Sequence, residues 1–317
     1  MRLATPPTPV ALANHAPIMA VAVGSDGTDV IVGQVADDRH PALSRWSLPG
    51  LSPLPGPDPC PLTPHGDICN VLTRSEHGLL AVAGMRTQQL VVVDAVTEGT
   101  QTTPVEGHVL WAELAGSLLA SSGTRTEILD LTADRLVWRQ EPPAPPPPSH
   151  TNMVPLITFR PDRRAFAVGG SGDPSVLLYP LAGAEPLLGA DPSATLSGAP
   201  ERLRRLEFGP DGRYLVAVDA YAKRTVVWRS GETEPHLPDI FGENADDHWS
   251  VAFHPDGEHC AMGMLFGYIN LYRLSDGELL DSRQQHAGRV NTLTFSPDGS
   301  LLLSGGDDGK LLAWPVD

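Results

Sequence analysis

Four times in the second half of the chain, a phenylalanine is followed by one variable residue, a proline and an aspartate. The segments are Phe159-Arg-Pro-Asp, Phe208-Gly-Pro-Asp, Phe253-His-Pro-Asp and Phe295-Ser-Pro-Asp. The phenylalanines stand 49, 45 and 42 residues apart, and the last three segments continue with glycine. A repeat at this period constrains a fold more than any local propensity. Each unit must be one supersecondary module that buries its faces against its neighbours.

The unit itself reads as short strands. An alternating apolar run leads to the phenylalanine, as in Val290-Asn-Thr-Leu-Thr-Phe295. Pro-Asp-Gly then turns the chain, because proline presets φ and glycine accepts a positive φ. A second apolar run follows, Leu301-Leu-Leu-Ser, and a Gly/Asp turn leads to a third, Leu311-Leu-Ala-Trp314. Earlier units add a fourth run, such as Glu278-Leu-Leu-Asp-Ser-Arg283. Each module is therefore expected to be a small antiparallel sheet.

Histidines extend the period into the first half. His286 stands nine residues before Phe295, and His150 stands nine before Phe159. His108, His65 and His15 continue the series backward. Units are then expected to start near residues 15, 65, 108, 150, 199, 244 and 286. This predicts an all-β, seven-bladed β-propeller. Motifs are weaker in residues 1–149, which leaves a total of six to eight blades open by period alone. The seventh unit stops at Trp314-Pro-Val-Asp317, after its third strand. A strand-like run before the first unit, Pro9-Val-Ala-Leu-Ala13 within residues 1–14, is expected to complete that blade and close the ring, because an open edge leaves backbone groups unpaired.

The run from Gln285 to Trp314 resembles the WD40-repeat family. The resemblance implies a chain of hydrogen bonds inside the blade, made here by His286, Ser304, Asp308 and Trp314. Linking these groups satisfies every buried member at once. The fourth unit keeps His150, Asp173 and Tyr179, with Gly169 in place of the hydroxyl. The sixth has Asn244, Met262, Phe266 and Tyr272 at the four positions, and the fifth keeps Trp228 alone.

Charge and motif content narrow the function. The net charge is −16, with no local run of lysine or arginine. Such a field opposes contact with phosphate backbones or an anionic membrane surface, so neither nucleic acid nor membrane is expected as a partner. Three cysteines with no CxxC spacing, and no signal peptide or long apolar stretch, fit a cytoplasmic setting. The aspartate pairs Asp37-Asp38, Asp246-Asp247 and Asp307-Asp308 read as turn residues. His248, His254 and His259 are unevenly spaced around a hairpin. No metal, cofactor or catalytic residue is expected. Residues 142–148, Pro-Pro-Ala-Pro-Pro-Pro-Pro, read as a stiff polyproline spacer between blades.

The resulting expectation is a non-catalytic scaffold or adaptor, a monomeric propeller working within a complex with a partner protein. The alternatives are a propeller enzyme of lactonase-like or lyase-like type, and a regulatory or targeting subunit of a larger enzyme complex. Interface hot spots favour Trp, Tyr and Arg. Trp249, Tyr221, Phe266 and Arg289 fall where the repeat places rim loops in blades five to seven. They form the candidate binding patch, expected to be aromatic and partly acidic.

Overall fold

The computed structural model describes residues 1–4, 10–12, 15–35, 42–55, 69–74, 79–84, 89–94, 100–104, 109, 111–123, 126–140, 155–170, 172–181, 190–219, 224–240 and 247–317. His65, His108, His150, Tyr221, Asn244, the Asp37-Asp38 pair and the 142–148 proline run lie outside them.

Each repeat unit becomes one antiparallel meander, and the chain makes seven sheets. Blade one comprises Ile18–Val23, Asp29–Gln34, Leu43–Ser47 and the two-residue Pro53–Leu54. Blade five begins with Leu203–Phe208, Tyr214–Asp219 and Thr225–Arg229. Its outer edge is reduced to a bridge, with Val227 and Leu237 exchanging both N–H···O bonds at 2.9 and 3.0 Å. Blade six is complete, with His248–Phe253, His259–Met264, Tyr268–Arg273 and Leu279–Gln284. Blade seven has Val290–Phe295, Leu301–Gly306 and Lys310–Pro315 of its own.

The fourth strand of blade seven is Val10–Ala11, which pairs Val10 with Leu311 and Ala11 with Lys310. The contact is longer than the run expected from sequence. Leu3 bridges Val316, and Arg2 and Asp317 exchange backbone bonds at 2.9 and 3.0 Å. Leu3 and Leu12 are fully buried there. The first strand of every blade touches the first strand of the next, blade seven to blade one included.

The apolar core follows from this ring. It is divided into seven clusters, each shared by two neighbouring blades. One joins Tyr214, Val216 and Val227 of blade five to Met262 and Tyr272 of blade six. Another joins Leu303, Leu311 and Ala313 of blade seven to Ile18, Val30 and Val32 of blade one. Every sheet is buried on both faces, which is why second strands such as Tyr214–Asp219 read as continuous apolar runs. Among the described residues, no helix is long and apolar enough to cross a membrane.

Candidate partner-binding rim

The inner strands carry a shared irregularity at one end. The ladder shifts register between Ile18 and Ala20, Cys69 and Val71, Leu203 and Arg205, His248 and Ser250, and Val290 and Thr292. In five blades, then, the second residue of the first strand is bulged out: Met19, Asn70, Arg204, Trp249 and Asn291. A bulge re-aims the side chain it carries. Trp249 therefore sits on a bulged strand position, where sequence reasoning expected a loop.

The bulged residues of blades five and six meet, and Arg289 of blade seven joins them. The Arg204 guanidinium carbon lies 3.3 Å from the centre of the Trp249 ring, and that of Arg289 lies 4.5 Å away. Arg289 is in turn oriented by Asp307, with Nε donating to Oδ2 at 2.7 Å. Asn291 donates to the same carboxylate at 2.9 Å and to the Ile18 carbonyl at 3.0 Å, carrying the chain of contacts into blade one. An indole held by two cations is fixed in place at small entropic cost to any later contact.

Phe266 stands beside this group. Its turn is tied to the start of the Trp249 strand by the Leu265 N–H, which donates to the Asp247 carbonyl at 3.0 Å. The turn also rests on the loop before Arg289. At Gly267 (φ +85°) an added Cβ would come within 2.1 Å of the His286 carbonyl oxygen, so only glycine fits. Phe266 is 64% exposed and is the only exposed large hydrophobic among the described residues. Trp249, Phe266 and Arg289 are thus brought to one rim, and Tyr221 lies outside the described residues. Arg204 and Arg289 flank the indole while Asp307 holds Arg289, so the described part of the sector combines aromatic, cationic and acidic side chains.

Sequence reasoning did not single out the residues that line the channel below. A cavity of about 500 Å³ is lined by inner-strand residues including Trp111, Glu113, Thr158, Arg205 and Glu207. Burial pushes Glu113 up to about 7, although the Thr158 side chain and the Phe159 N–H, 3.3 Å away, both donate to it. Burial and the nearby Glu113 charge push Glu207 up to about 8 against the opposing pull of Arg205. Burial also lowers Arg205 to about 10, with Arg204 adding to the effect. All three remain partly open to the channel. A period-two signal was there to find: Arg205 and Glu207 alternate on one strand, and Trp111 and Glu113 on another.

Inside blade seven, His286 Nδ1 lies 2.9 Å from Asp308 Oδ1 and its Nε2 lies 2.8 Å from Ser304 Oγ. Trp314 Nε1 donates to the same Ser304 Oγ at 2.9 Å. Burial alone would raise Asp308, but hydrogen bonds from His286 and from the N–H groups of Ala287 and Lys310 outweigh it and hold the carboxyl at about 2.

Residues 277–314 match the family described as WD domain, G-beta repeat. That span takes the outer strand of blade six and the three strands of blade seven, so the sequence repeat is offset from the structural blade. Serine-threonine kinase receptor-associated protein of Gallus gallus is 32% identical over 109 residues, covering 34% of this chain and 30% of that protein. Small ribosomal subunit protein RACK1 of Drosophila melanogaster is 41% identical over 49 residues, covering 16% of this chain and 15% of that protein. The chain thus spans less than a third of the length of these curated relatives. The β-propeller domain of Cps50 (Swd1) from Myceliophteria thermophila superposes with a TM-score of 0.78 over 99% of both chains at 15% identity. The matched repeat and the closed ring of seven blades together identify the fold as a β-propeller of the WD40 type.

Proposed function

We propose that the chain is a non-catalytic scaffold, and that the rim of blades five to seven is where it docks a partner protein. The observation that carries this reading is Trp249, gripped by Arg204 and Arg289 beside the exposed Phe266. Aromatic and arginine side chains dominate interface energetics, and a pre-fixed indole loses little freedom on binding. Phe266, 64% exposed, adds a second aromatic side chain to the same rim. The names of the relatives support the same direction, since one is receptor-associated and another is a ribosomal subunit protein.

The test is a variant carrying Trp249→Ala, Phe266→Asp and Arg289→Ala, compared with the native chain as bait in a lysate of its source organism. Phe266 is exposed, so its substitution alone should shift stability by no more than about 0.5 kcal/mol. The variant should keep its circular dichroism spectrum and lose the proteins that the native chain retains. Retention of the same proteins by a folded variant would refute the rim.

A further inference from the structure

At the opposite end of the Trp249 strand, three side chains converge that the rim does not use. His254, Asp256 and His259 belong to the turn that joins the first two strands of blade six. Their ligand atoms all lie within 4.8 Å of one another. Asp256 Oδ2 stands 2.9 Å from His254 Nδ1 and 2.8 Å from His259 Nδ1.

The turn leaves those atoms free to act together. Asp256 Oδ1 accepts the N–H groups of Glu258 and His259 at 2.7 and 3.2 Å, which aims Oδ2 at the two imidazoles. His254 Nε2 lies 3.2 Å from the Gly299 carbonyl, in the matching turn of blade seven. A carbonyl only accepts, so Nε2 donates there, and in the neutral ring Nδ1 then presents the lone pair. The Asp256 N–H donates toward that Nδ1 at 3.2 Å, consistent with the same tautomer. The ring is also fixed edge-on against Phe295, with centroids 5.1 Å apart. At Gly299 an added Cβ would come within 2.3 Å of His254 Nε2, so glycine makes room for the ring.

Both imidazole Nδ1 atoms thus lie at hydrogen-bond distance from one carboxylate oxygen. With protons on the two Nδ1 atoms these contacts are hydrogen bonds to one carboxylate oxygen, and a divalent cation that displaced those protons would find the same three ligand atoms already gathered. We infer that His254, Asp256 and His259 form a binding site for a divalent transition cation of the Zn²⁺ class, with water completing its coordination. Two imidazole nitrogens and one carboxylate oxygen are a common ligand set for this ion. Tetrahedral coordination needs ligand atoms about 3.4 Å apart, a small opening of the present arrangement. The His254 Nε2–Gly299 carbonyl bond is the outer support that such a ligand needs. A bound cation would fasten the blade-six turn to blade seven. The inference departs from the sequence expectation of no metal and is independent of the proposed rim.

The test uses Zn²⁺ and Co²⁺ alone, titrated into the full chain and followed by calorimetry and by the visible Co²⁺ bands. One equivalent should bind, and Zn²⁺ should raise the melting temperature. His259→Gln and Asp256→Asn should each weaken binding at least about tenfold while keeping the fold, the latter because asparagine still accepts the turn N–H groups. Absence of binding at 100-fold excess metal would overturn the site. So would one-equivalent binding that both variants leave unchanged, since the ion would then sit on other ligands.

Discussion

Blades six and seven lie side by side and solve the same problem in opposite ways. Blade seven fills its interior with the linked set His286, Ser304, Asp308 and Trp314, yet borrows its outer strand from the chain's beginning. Blade six owns all four strands, yet has Met262, Phe266 and Tyr272 at three of the corresponding positions. Its polar groups have moved. Tyr272 Oη accepts from Asn270, Asn270 accepts from Ser282 at 2.7 Å, and His248 is hydrogen-bonded to Thr225 of blade five at 2.6 Å. Removing one member of a buried polar set is costly, while replacing the set with apolar groups of fitting shape is nearly neutral. A blade can therefore abandon the network if it does so wholesale. Doing so released the turn position held by Asp308 in blade seven, and in blade six that position carries the exposed Phe266.

The borrowed strand is the sharpest point of difference. A chain lacking residues 1–12 loses the burial of Leu3 and Leu12 and opens the edge of blade seven. Its stability should fall by about 4 kcal/mol or more, as two buried leucines alone are worth about 3–6. Hydrogen exchange should show blade seven deprotected more than blade six. Equal loss in both blades would mean that the N-terminal segment does not fasten blade seven in particular.

Next in size is a swap of interior residues. Met262→Ser in blade six restores the residue type of blade seven, but without a histidine or tryptophan to meet it. Chemical denaturation should show a loss of about 3–5 kcal/mol, from the cavity and the unmet hydroxyl. Ser304→Ala in blade seven orphans Trp314 Nε1 and His286 Nε2 and should cost about 1–3 kcal/mol. A stabilising Met262→Ser would break the comparison.

Acid should separate the blades by a smaller margin. Burial pushes His248 in blade six down to about 4, so the folded protein resists protonation there. The unfolded chain takes up that proton near 6.5, and stability is lost as pH falls from 6.5 to 4, by about 3 kcal/mol. Asp308 in blade seven is the reverse case, held at about 2. Its stabilisation is present above 3.8, the ordinary value, and is lost only as pH falls from there toward 2, by about 2 kcal/mol. Denaturation midpoints across pH should show His248→Asn flattening the upper limb and Asp308→Asn the lower.

The ring was legible in the sequence because periodicity survives substitution. Phe295-Ser-Pro-Asp and its three relatives mark turns, and the missing fourth strand of the last unit pointed to the chain's beginning. The rim was half legible. Residue type singled out Trp249, Arg289 and Phe266, but Arg204 stands 45 residues from the indole it contacts, and a bulge has no compositional signature. The channel pair Glu113 and Glu207 lies on the inner strands of blades three and five, a proximity that only ring closure creates. His254 and His259 looked unrelated because a strand reading puts them on separate elements, whereas the Pro-Asp-Gly turn folds both onto Asp256.

The most direct measurement places a photo-crosslinking amino acid at position 266 of the otherwise native chain, with a second chain carrying it at exposed Asp298 on the opposite turn of blade seven. Irradiation in lysate should couple position 266 to a discrete partner and leave position 298 uncoupled. Equal coupling at both, or coupling at 298 alone, would contradict the claim that blade six gave up its interior network in favour of a docking rim.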